Sequence, residues 1–263
     1  MAQVSQPQTD SGLALIGRIR TVEAAHIRRW LVLGWRDYRH SGWIGPAYGA
    51  VFAIAGLFIT FGLAWLGWPY LITPMIGGFL LVGPLLALGF YAVSRALAEE
   101  YPLNLGRVLL AWRANTFHIM TAGLVLMLVV MIWARLSIEL FALFLPYQSM
   151  SVASFLAQSA TLAGISFTLF MLALGAGFAV MVFVTSVVAL PMMLDIKTDI
   201  FSAALVSTLV VARNPRVMAL WAATIVAVIG LGLLPAFLGL TVALPVIGHA
   251  SWHAYRDLVA PAD

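Results

Sequence analysis

Two histidines four residues apart, His249 and His253, close an apolar run in the stretch "LPVIGHASWHAYRDL" (244–258). On a helix this spacing puts both imidazoles on one face, near enough to share a metal ion. His118, at the start of another apolar run, is the other histidine at a comparable level. A zinc-protease motif would need a glutamate directly after the first histidine, and Ala250 stands there. A haem held by two histidines would draw them from different helices. The alternative is that both rings hydrogen-bond where a helix meets water, beside interfacial Trp252 and Tyr255. On that reading neither a metal nor a cofactor is expected.

A second pair, Arg135 and Glu139, lies inside an apolar run, again four apart. Charges within a membrane are expensive and are suspects for function. Arg135 follows Phe117 by 18 residues, roughly 27 Å along a helix at 1.5 Å per residue. An upright helix in a core about 30 Å thick would carry it near the outer surface. Pairing with Glu139, or snorkelling, would then suffice. A third group, Tyr91, Ser94 and Arg95 in "GFYAVSRALAEEYP", could contact an anionic lipid headgroup, since guanidinium binds phosphate bidentately. Asp195, Lys197 and Asp199 could form a network with Arg95 or Arg256. No partnered nucleophile accompanies these carboxylates, so acid–base catalysis is not indicated.

The elements that carry these residues follow from composition. The chain has 263 residues, 63% hydrophobic and 9% charged, with a mean hydropathy of +1.02. Soluble domains carry about 25% charged residues; this chain needs hydrocarbon as its solvent. Cysteine is absent, which removes disulfides, thiolate-ligated metals and thiol catalysis. Five histidines, none at mid-span, cannot supply the ligands of a catalytic haem–copper oxidase subunit. The net charge of +4 reads as a membrane-orientation signal, and no nucleic-acid partner is expected.

Apolar runs of about 20 residues mark membrane spans. Six are expected: 44–65, 70–93, 117–145, 163–194, 217–234 and 236–252. In the last pair, "LGLLPAFLGL" is either a turn or a kink within one helix, and the kinked case would give five. Thirteen of the 14 basic residues precede span one, lie between spans two and three or four and five, or follow span six. By the positive-inside rule that side is cytoplasmic. An even number of spans puts both termini there. The N-terminal "MAQVSQPQTDSGLALIGRIR" lacks the apolar core of a secretory signal.

Three cytoplasmic segments, "AAHIRRWLVLGWRDYRHSG", "YPLNLGRVLLAWRANTFH" and "DIFSAALVSTLVVARNPR", each set an apolar stripe before a basic residue and a span. In the first, Ile27, Trp30, Leu31 and Gly34 have helical spacing. Such helices can lie in the membrane interface. The pattern suggests three copies of an interfacial helix followed by a transmembrane hairpin, although "AWRAN" against "VARNP" leaves chance similarity open. The expected fold is an all-α polytopic membrane bundle. A disordered polar N-terminus covers 1–17, a single membrane-embedded helical domain 18–256 and a short tail 257–263. The connection "LPYQSMSVASFLAQSATLA" is expected outside, as a short amphipathic helix.

Several stretches resemble the DUF2189 family of predicted bacterial integral membrane proteins: "RRWLVLGWRD" (28–37), "FLLVGPLLALGFYAVSRALAEE" (79–100), "MLVVMIWARLSIELFALF" (127–144), "VTSVVALPMMLD" (184–195) and "FLGLTVALPVIGHASWHAYRDL" (237–258). The Gly-Pro, Tyr-x-x-Ser-Arg and Gly-His-x-x-Trp-His-x-Tyr-Arg elements carry it together. One departure is "LDIKTD", where the resemblance implies a basic residue directly after Asp195. The resemblance implies a multi-span inner-membrane protein without an assigned activity. With minimal soluble parts, the expected function is a non-enzymatic accessory or scaffolding subunit of a bacterial inner-membrane complex. Its expected partners are membrane lipids and other integral subunits, met through Tyr91, Ser94, Arg95, Asp195, His249, His253, Tyr255 and Arg256. The rival is a transporter or lipid-handling protein, suggested by repeated hairpins and glycine-bearing helices.

Overall fold

Long apolar runs can satisfy their backbone in hydrocarbon by forming helices, and this chain does so. The computed structural model describes residues 12–145 and 157–260. Its helices are α1 (Gly12–Gly17), α2 (Ala25–His40), α3 (Ile44–Trp65), α4 (Ile72–Leu81), α5 (Gly83–Leu86), α6 (Leu88–Ala98), α7 (Leu105–Leu109), α8 (Thr116–Phe144), α9 (Leu162–Ser186), α10 (Ala189–Asp195), α11 (Ile200–Arg213), α12 (Pro215–Leu233) and α13 (Leu240–Leu258). Among the described residues there is no strand, only an isolated bridge between Ile19 and Val259.

Four of these runs are long and apolar enough to cross a bilayer: α3, the stretch 111–144, the stretch 162–195, and α12. A fifth is the pair α4 and α5–α6, bent by 56°. The bend falls at Pro84, which lacks a donor and whose ring clashes with the preceding turn. The sixth expected span, 236–252, is corrected. It is a separate helix, α13, reached through a turn in which Ala236 and Phe237 take positive φ, and it does not qualify as an apolar span. The physical reason is that its second half carries His249, His253, Arg256 and Asp257, which protein rather than lipid accommodates. Twelve of its 19 residues are buried, among them His249 and Trp252.

The helix-then-hairpin plan recurs three times in element order: α2 before α3–α6, a short segment before α8–α10, and α11 before α12–α13. The second copy departs from expectation. Instead of one amphipathic helix, 101–118 holds the five-residue α7 and a 3-10 turn, Ala111–Asn115. The apolar stripe of α2 is also not simply a membrane face. Trp30, Gly34 and Asp37 are buried, pressed along α13. A Cβ on Gly34 would lie 2.6 Å from the Val246 carbonyl oxygen, and one on Gly49 would lie 2.8 Å from that of Thr241. Glycine at these two positions lets α2 and α3 meet the backbone of α13. The expected disorder over 1–17 falls mostly on residues outside those described; Gly12–Gly17 is a short helix with Leu15 fully buried. Of the expected external segment 145–163, residues 146–156 lie outside the described residues.

Between α9 and α10 the helix breaks where Pro191 removes a donor. The Ser207 hydroxyl of α11 fills the gap, accepting from the Val188 N–H at 3.3 Å and donating to the Val184 carbonyl at 2.8 Å. One buried side chain thus satisfies two backbone groups that a regular turn would have paired.

All three basic connections gather at one end. Asn214, at the start of α12, accepts from Val22 N–H and donates to the Arg20 carbonyl. Arg20 N–H donates to Leu258 at the end of α13, and Asn115 donates to the Thr198 carbonyl. Opposite lies the far end, with the α3–α4 turn and its Trp65, Trp68 and Tyr70. There, the Trp133 indole donates to the Pro74 carbonyl at 2.7 Å.

Candidate functional site at the basic end of the bundle

Three helices bring four polar side chains together just inside the basic end. Asp37 from α2, Ser94 from α6 and His249 from α13 are each buried; His253, one turn along α13, is nearly so. The His249 Nδ1 lies 2.9 Å from the Ser94 hydroxyl, and the His253 Nε2 lies 2.7 Å from an Asp37 carboxylate oxygen. The two imidazoles share a helix face, as their spacing requires, but each turns to its own partner. Burial pushes the Asp37 carboxyl up. Hydrogen bonding and charge from His253, with a further hydrogen bond from Ser94, outweigh that and hold it below the ordinary carboxylate value.

A serine, an imidazole and a carboxylate invite comparison with a nucleophilic triad, and the geometry departs from one. Asp37 pairs with His253 rather than with the histidine that meets Ser94. Ser94 is 1% exposed, so its hydroxyl cannot meet a substrate carbonyl. The His249 Nε2 is buried and has no hydrogen-bond partner, with Phe90 edge-on to the ring at 5.6 Å. Nor are the candidate metal ligands assembled: among the described residues no three His, Cys, Asp or Glu gather as an ion site. His118 sits on α8 against Phe117.

Around this pair lies a ring of tethers. Asp195, closing α10, accepts from the Tyr255 hydroxyl at 2.8 Å and from Arg256 at 2.9 Å, with Arg95 at 3.8 Å. Arg95 also bonds Glu99 and the Leu194 carbonyl. Asp195 therefore has cationic partners from distant segments, although Ile196 follows it in sequence. Burial and the neighbouring carboxylate push the Tyr255 phenol up, which keeps it a donor. Asp257 accepts from the Trp30 indole at 2.8 Å, with Arg29 at 3.6 Å. Trp252 and Tyr255, expected as an interfacial aromatic belt, are buried beneath these contacts. Tyr91 and Ser94, expected to share a headgroup with Arg95, are buried in the interior.

Sequence reasoning missed Asp37. The signal was present: Trp30, Gly34 and Asp37 fall on one stripe, so an acid stood on the apolar face of a basic helix. It also missed Asn214, Asp257 and Ser207. Arg135 and Glu139 do pair, at 2.8 Å, with side chains 76% and 52% exposed. Two residues before, Trp133 reaches Pro74 near the far end, so this ion pair stands away from the buried cluster.

The stretch from α4 to the end of α10 carries Ser94, Arg95, Arg135, Glu139 and Asp195. It also carries the family match. Residues 72–195 match the DUF2189 family. The family is described as a predicted integral membrane protein, and the apolar helices agree: the chain is an integral membrane protein. The DUF2189 match takes in the resembling stretches 79–100, 127–144 and 184–195, and leaves out 28–37 and 237–258, which supply Asp37, His249 and His253. No curated protein and no solved structure matches the chain.

Proposed function

We propose that this integral membrane protein is a non-enzymatic accessory or scaffolding subunit of a larger bacterial inner-membrane complex, with both termini cytoplasmic. The observation that carries this reading is the α8–α9 hairpin. In its two spans only 22% and 17% of the most apolar windows are buried within the chain, while the polar order is concentrated at the basic end. Such a molecule offers broad apolar faces on a pinned base, which suits docking against other membrane helices. The sealed Ser94–His249 contact supports a structural use of the residues best suited to chemistry. Extraction in a mild detergent, followed by identification of co-migrating proteins, tests this. A stable stoichiometric membrane partner is expected; a chain that migrates alone or only with itself contradicts it.

Lipid handling is the second reading, favoured by an open groove of about 560 Å³ at the basic end. A mid-depth cavity beside Gly56 and Phe237 measures about 10 Å³, room for about one water.

A further inference from the structure

We propose that the groove between α6 and the α7 segment binds one anionic phospholipid, its phosphate on Arg107 and its glycerol and upper acyl chains over the alanine floor. This goes beyond the scaffolding reading and does not depend on it. The floor is Ala92, Ala96, Ala111 and Ala114, with Leu110 and Leu194 at the sides. Two guanidiniums line it, in different states. Arg95 is committed to Glu99, the Leu194 carbonyl and Asp195. Arg107 is exposed and has neither a hydrogen bond nor an ion pair among the described residues, so its charge is unspent.

The level of the groove suits a headgroup. Ser94, bonded to His249, fixes the neighbouring Arg95 at the height where α13 meets Gly34, just before α3 begins. Leu109 and Leu110 beside it are exposed, a wasteful arrangement in water and a favourable one against acyl chains. A phosphate with an apolar tail satisfies both halves of the groove, whereas inorganic phosphate would satisfy only Arg107.

The test uses the purified full chain in detergent, with native mass spectrometry and tryptophan-fluorescence unfolding. Phosphatidylglycerol, phosphatidylcholine of the same chains, and inorganic phosphate are added separately. Phosphatidylglycerol should be retained at one per chain and raise the unfolding midpoint. Arg107→Ala should weaken it roughly tenfold, with Arg107→Lys intermediate. Ala96→Trp should block it while keeping both arginines, and its lipid-free unfolding midpoint checks its fold. Equal retention of phosphatidylcholine, or undiminished binding to Arg107→Ala, overturns the proposal. A phosphate effect matching that of phosphatidylglycerol overturns the lipid in favour of a free-phosphate site.

A different observation carries a second inference. We infer that α12–α13 is a re-entrant hairpin, entering the bilayer from the basic end and turning back within the hydrocarbon. Its turn residue Phe237 packs against Gly56, nine residues before the end of α3, roughly 13 Å short of the far surface at 1.5 Å per residue. The turn "LGLLPAFLGL" has no polar side chain, and Leu234 and Leu238 are exposed. The N–H groups of Phe237, Leu238, Leu240 and Thr241 bond carbonyls within the turn, which lowers its need for water. Leu234→Cys and Leu66→Cys are each given a nitroxide label in detergent, where water lets the thiol ionise, and then reconstituted into vesicles. The label at Leu234→Cys should be relaxed by dissolved oxygen and shielded from a water-soluble nickel chelate on both sides, while that at Leu66→Cys is relaxed by the chelate. Relaxation by the chelate at both positions overturns the inference. So does shielding of Leu234→Cys from oxygen as well, which would mean protein cover.

Discussion

The helix α13 and the helix α8 are solvated by different media. In α13 twelve of 19 residues are buried; in α8 six of 29 are. The first carries two histidines, an arginine and an aspartate, each partnered by α2, α6 or α10. The second carries one ion pair, made within itself and exposed. A helix wrapped in protein can hold ionisable groups because neighbouring elements supply their hydrogen bonds. A helix wrapped in lipid must be apolar, or satisfy its charges locally. The same contrast separates what specifies the fold from what is free to meet a partner.

The sharpest way to break this contrast is to remove Asp37. Asp37→Ala would leave His253 without its partner and should lower stability by about 3 kcal/mol, read from the unfolding midpoint of the nine tryptophans. Gly34→Leu comes next. It pushes α2 from the α13 backbone and should cost about 2–3 kcal/mol. Ser207→Ala leaves the Val188 N–H and Val184 carbonyl unpaired in a buried break and should cost about 1–2 kcal/mol, with a larger gain in hydrogen exchange at α10 than elsewhere.

Acid probes the same pair more gently. The Asp37 carboxyl is held below its ordinary 3.8, so its contribution is complete above about pH 4 and is lost as pH falls through the lower folded value. Unfolding midpoints of the wild type should decline on that limb, and Asp37→Asn should show a shallower decline. The smallest effect is expected in the lipid-facing helix: Arg135→Ala with Glu139→Ala should change stability by no more than about 0.5 kcal/mol. A loss as large as that of Asp37→Ala would erase the distinction between the two regions.

Much of this was legible in the sequence where it depended on local apolarity. The first span, 44–65, coincides with α3, and the basic segments assemble at one end as their charge pattern required. The kink-or-turn question in "LGLLPAFLGL" resolved into a turn because two non-glycine residues adopt positive φ there. What was illegible depended on partners far apart in the chain. Ser94 meets His249 across 155 residues, and Asp37 meets His253 across 216; spacing within one helix cannot announce either. Trp252 and Tyr255 looked interfacial because their types suit a belt, and only the cover from α2 and α10 shows them to be core. Arg107 is distinguished from Arg95, which lines the same groove, by lacking a partner, which a sequence does not record.

The proposed orientation puts every basic connection in one compartment, the cytoplasm, below a bundle pinned at that end. Because the chain has no cysteine, single cysteines can be placed at Arg107, Lys197 and Leu66 and challenged with an impermeant maleimide in intact spheroplasts. The account predicts labelling at Leu66→Cys alone, with Arg107→Cys and Lys197→Cys reacting only after lysis. Labelling of Arg107→Cys or Lys197→Cys in intact cells would contradict it.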